Sequence, residues 1–84
     1  MDSLGERMLD LLLERELVAL VSESRHGEVA RGLDAAVLGA LDNPAMDDDQ
    51  RGAAIADYLE NAPGVDEVFA TDAELLALAR ECDR

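Results

Sequence analysis

Apolar residues along the chain recur mostly at spacings of three and four, and three capping signals punctuate them. Ser3 with Glu6 three positions on, Asp47 with Gln50, and Thr71 with Glu74 each have the form of a capping box, in which the first side chain and the third helical residue satisfy each other's free N–H groups. Read from these signals, helix one runs from Ser3 to about Ser24 and Gly27 marks a break. Helix two spans about Glu28–Leu41 and is stopped by Asp42-Asn43-Pro44, because proline denies its predecessor the helical region. Helix three covers 47–60 and ends at Asn61-Ala62-Pro63-Gly64. Val65–Phe69 reads as a short turn or extra helix, and the last helix covers 71–82. Nothing reads as a strand pair. The expected fold is an all-α, compact four-helix single domain over residues 1–84, with 65–69 as an optional fifth short helix.

Helical projection sorts the faces. In helix three, Ala54, Ile55, Tyr58 and Leu59 share one arc. In the last helix, Leu75, Leu76, Leu78, Ala79 and Cys82 do. The run Ala35–Leu41 is apolar all round, which places the end of helix two at the centre of the molecule and helix one on an edge. Gly32, Ala36 and Gly39 or Ala40 would let another backbone come close. Helix one carries two apolar stripes: Leu4, Met8, Leu11, Leu12 and Val18 on one side, and Leu9, Leu13 and Leu20 on another, joined by Leu17 and Val21. One core cannot easily cover both, so a second chain is expected over the surplus.

Composition changes the picture in two ways. The chain of 84 residues is 49% hydrophobic but only 2% aromatic, and the apolar share is carried by 14 Leu and 14 Ala, the mixture helices favour. It also holds 20 acidic residues against 7 Arg and no Lys, a formal net charge of −13. Residues 25–41 sum to zero, so the acid lies on the other segments. Direct binding to nucleic acid or to anionic lipid is disfavoured, and a basic partner or added salt would relieve the self-repulsion. A chain this small has room for one core and no deep cleft. No run is long enough to span a membrane, the N-terminus lacks a basic secretory segment, and a lone cysteine suits a reducing compartment. The expected location is the cytoplasm.

Candidate chemistry is sparse. With one His and one Cys, most nucleophilic and zinc mechanisms lack parts. Cys82 falls on an apolar arc and reads as a small buried hydrophobe. Asp47-Asp48-Asp49 fails as a calcium loop, since Arg51 and Tyr58 stand where oxygen ligands belong, and reads instead as carboxylates at the positive end of a helix. Glu23-Ser24-Arg25-His26 spells the half-motif of di-iron bundles, and Glu16, two turns earlier, would share its helical face. A metal-binding helical protein using Glu16, Glu23 and His26 is therefore one alternative. The leading expectation is a small non-enzymatic interaction module without cofactor. It binds a basic protein surface to block or recruit it, as inhibitors, antitoxins, immunity proteins and nucleic-acid mimics do. Its contact surface is expected on helix one, with Leu9, Leu13, Leu17 and Leu20 as the apolar anchor and Glu6, Asp10, Glu14 and Glu16 as the charged rim. A homodimer pairing through the same leucines is the other alternative.

Overall fold

The computed structural model describes residues 3–83. Four helices follow in order, α1 (Leu4–Glu14), α2 (His26–Asp42), α3 (Asp48–Asn61) and α4 (Asp72–Cys82), with a two-stranded ribbon of β1 (Val18–Leu20) and β2 (Val65–Val68). The fold is predominantly all-α, as the periodicity implies. Two capping boxes form in full, at Asp47/Gln50 and Thr71/Glu74. At the third, Ser3 Oγ accepts from the Glu6 N–H at 3.2 Å.

Each helix packs against two others, α1 on α2, α2 on α3, α3 on α4 and α4 back on α1. The core between them is aliphatic, with Met8, Leu9, Leu12, Val29, Leu33, Val37, Ile55, Leu59 and Leu75 fully buried. This overturns the expectation of an edge position for helix one: Leu4, Met8, Leu9 and Leu12 all face inward. The end of helix two is not central either. Val37 and Ala40 are buried, but Ala35, Leu38 and Gly39 face solvent. At Gly32 a side chain and not the expected backbone comes close, since a Cβ there would collide with the Tyr58 hydroxyl, whereas one at Gly39 would meet nothing. The closest approach of a glycine to another backbone lies elsewhere. At Gly5 a Cβ would run into the Ala30 carbonyl, and the Gly5 N–H donates to Asp34 Oδ1 at 2.9 Å, which fixes α1 on α2.

The main departure from the expected fold is the end of helix one. It stops at Glu14, ten residues early, and Gly27 lies inside the first turn of α2 instead of at a break. Glu16 N–H donates to the Leu13 carbonyl and Leu17 N–H to that of Leu12, at 3.1 and 2.8 Å. That pair of bonds is a Schellman cap, which needs a left-handed residue between them. Glu16 supplies it, with φ at 58°. Glycine usually takes this position, and its absence is why no stop signal is visible. The chain then turns into β1.

β1 and β2 run antiparallel, with Val18 opposite Val68, Ala19 opposite Glu67 and Leu20 opposite Val65. The register shifts between Ala19 and Leu20, so Asp66 is the extra residue of a β-bulge. The bulge has a clear function in packing. Residues three apart on a regular strand face opposite sides. With Asp66 bulged out, Val65 and Val68 both turn to the core.

Candidate functional site

Charged groups stay outside. Among the described residues no polar or charged side chain is buried. Three arginines serve the scaffold. Arg51 donates to the Ala40 and Asn43 carbonyls at 3.1 and 3.0 Å, satisfying the free end of α2, and pairs with Asp48 at 3.2 Å. Arg7 donates to the Cys82 carbonyl at 2.7 Å, joining α1 to the end of α4. Arg80 grips both oxygens of Asp48, at 2.6 and 3.2 Å. The Arg80 bond, with Arg51 behind it, holds the Asp48 carboxyl below its usual range.

The residues expected to form one contact surface on helix one are distributed over several. Leu9 is fully buried and belongs to the core. Leu13 and Leu20 are half-buried and line a shallow groove with Ser22, Glu23 and His26. Leu17 turns to another groove, beside Leu78 and Ala77 of α4. Glu6, Asp10 and Glu14 lie along α1, and Asp10 is held by His26 Nε2 at 2.8 Å. Glu16 stands apart on the cap. The leucine surplus that argued for a companion on helix one is therefore absorbed within the chain, because the helix ends before Leu17 and the ribbon takes up the residues beyond it.

The helical face that would have grouped Glu16, Glu23 and His26 does not form. Glu16 is the left-handed cap, Glu23 opens a 3₁₀ turn over Glu23–Arg25, and His26 begins α2. Among the described residues, no group of three His, Cys, Asp or Glu side chains comes together as metal ligands would. Cys82 is buried, and burial pushes its thiol up, with Glu81 adding to the effect. Its environment is that of a structural cysteine.

The ribbon carries groups that the helical pattern did not mark. Three large hydrophobic side chains are exposed among the described residues: Val21 at 62%, Phe69 at 56% and Leu38 at 39%. Val21 and Phe69 both belong to the outer side of the ribbon. Val18 and Val68, a directly opposed pair, face the core. The alternation of side chains then puts Ala19, its partner Glu67, Val21 and Phe69 on the other face. The backbone continues the pairing past the strand ends, with Phe69 N–H bound to the Leu17 carbonyl at 2.8 Å and Val21 N–H to that of Gly64 at 3.0 Å. Asp66 and Glu67 lie on this ribbon and Glu16 just precedes it, all three exposed and with no ion pair among the described residues. Arg25 packs over Gly64 at the same end, and Glu28 neutralises it at 2.9 Å.

Comparison with known protein families, with curated proteins and with solved structures gave no match. Among the described residues no helix is long and apolar enough to cross a membrane.

Proposed function

We propose that this chain is a non-enzymatic interaction module that binds a basic protein surface and blocks or recruits it. The observation that supports this most is where the charge sits. The chain has a net charge of −13, and every charged side chain among the described residues lies outside the small aliphatic core. Of the arginines that could offset the acid, Arg51 and Arg7 are bound to backbone carbonyls at the helix ends. Such a surface produces a strong negative field, which steers and selects a positively charged partner. The candidate grooves are shallow and open, and the sole histidine is tied to Asp10, so the geometry offers a surface for contact more readily than an arrangement for chemistry.

The test is capture of the partner from the native cell followed by binding measurements on the purified pair. The expected partner has a basic face, and its affinity falls steeply as ionic strength rises and the Debye length shortens from about 30 to 3 Å. An acidic partner, or an affinity indifferent to salt, would contradict the proposal. Before any partner is known, the free protein offers a related measurement. Its melting temperature should rise with salt if the surface charge is uncompensated.

A further inference from the structure

We infer that the outer face of the ribbon is the docking site, and that its occupant is an extended protein segment placing a basic residue between two large apolar ones, in the pattern apolar-x-basic-x-apolar. The inference rests on the interaction reading above and makes it specific.

Three observations carry it. The first is the placement of the exposed apolar groups. Phe69 is one of only two aromatic residues in the chain. The other, Tyr58, is fixed by its hydroxyl, which donates to the Val29 carbonyl at 2.9 Å. Phe69 has no such anchor and leaves more than half its surface in water, although burying it would have been favourable. Val21 does the same at the far end of the same face. Aromatic and aliphatic groups left out in this way are the usual anchors of an interface.

The second observation is spacing. β1 is the regular strand, the bulge being on β2. Leu17, opposite Phe69, and Val21 are four positions apart, so the two apolar ends lie about 13 Å from each other along the ribbon. Glu67 sits between them, opposite Ala19. An extended chain repeats its side chains on one face at every second residue. Residues at positions one, three and five of such a chain would therefore meet Phe69, Glu67 and Val21 in turn, and the middle one would be Arg or Lys.

The third is charge. Asp66 lies on β2 beside Glu67, and Glu16 precedes Leu17, the residue opposite Phe69; neither is paired to a cation among the described residues, and the nearby Arg25 is already occupied by Glu28. A second copy of this chain would bring these carboxylates against their own kind, and like charges that meet directly weaken association strongly. Charge thus favours a basic segment over self-pairing.

The experiment titrates the full chain with synthetic peptides and follows backbone amide signals by NMR. The probe peptide carries Phe-Ser-Arg-Ser-Leu between short Gly-Ser arms. A scrambled isomer has the same composition with the Arg at one end, and a third peptide replaces Arg with Glu. The expected result is movement of the signals of Ala19, Val21, Glu67 and Phe69, with the probe binding about tenfold tighter than its isomer and the Glu peptide not binding. Phe69→Ser and Val21→Ser should each weaken the probe about tenfold while the protein melts as the parent does. Glu16→Gly should weaken it at low salt although that variant is the more stable, which a purely structural role for Glu16 would not produce. Equal binding of probe and isomer, or signals that move on another face, would overturn the docking site and leave the broader reading intact. So would a native partner whose salt-sensitive binding ignores Phe69→Ser. Sedimentation showing a dimer that Phe69→Ser dissociates would assign the face to a second copy instead. Absence of binding by any basic peptide, together with a native partner indifferent to salt, would remove both proposals.

Discussion

The corner where α3 meets α4 and the outer face of the ribbon are both rich in acid, but the acid does different things. At the corner, Asp47 closes a capping box, and Asp48 is clamped by Arg80 and by Arg51. Those carboxylates are part of the fold. On the ribbon, Glu67 and Asp66 touch no cation among the described residues and share the structure with exposed Val21 and Phe69, and Glu16 on the cap just before it is unpaired as well. The difference teaches that charge density alone does not mark a contact surface. The face proposed for contact differs in that its charge is left unanswered beside apolar groups left uncovered.

The contrast can be broken or sharpened by substitution. The largest effect is expected at the corner. The Arg51 side chain is only 18% exposed and two of its three bonds join the end of α2 to α3, so Arg51→Ala should cost about 2 kcal/mol, read as a lower denaturation midpoint with an unchanged slope in urea. A neutral result would mean that this arginine is as free as the ribbon's acids. The second effect has the opposite sign. Glu16 holds a left-handed backbone that L-residues enter at a cost, so Glu16→Gly should raise stability by about 1 kcal/mol. A loss in its place would show that the Glu16 side chain has a structural partner. Phe69→Ser comes third: replacing a half-exposed side chain should move stability by less than about 0.5 kcal/mol, and a larger loss would mean that Phe69 belongs to the core.

The smallest effect is a pH dependence. Asp48 is depressed by Arg80 first and Arg51 second. A carboxyl lowered in the folded state contributes stability above its unfolded pKa, and that contribution fades as the pH falls through the folded value. Acid titration of the parent and of Asp48→Asn should therefore diverge above about pH 4 and converge in strong acid. Because Asp48 is exposed, the difference will be small.

Much of the scaffold could be read from the sequence, and the reasons for success and failure are local. α3 and α4 announce themselves through Asp47/Gln50 and Thr71/Glu74, and their buried faces follow the period of a helix. The ribbon does not announce itself. Val65 and Val68 are three apart, which imitates a helical stripe, and only the Asp66 bulge reconciles that spacing with a strand. Leu17–Val21 is an unbroken apolar run in which helix and strand look alike. The available clue was two β-branched valines after Leu17, outweighed by the lack of a glycine stop. Of the proposed contact surface, the acidity is legible in the sequence. Its anchors are not: Leu9 went to the core, and Phe69 emerged only once its strand was known.

The two strands of the ribbon are separated in sequence by all of α2 and α3, so pairing them closes a loop that takes in more than half of the chain. Local helix hairpins assemble early, and closures of that length come late. Neither Phe69 nor Val21 can take its place beside Glu67 until that late step, so an unfinished chain emerging from the ribosome has not yet built the face proposed for docking. Recognition through the proposed face would thereby be reserved for molecules that have finished folding.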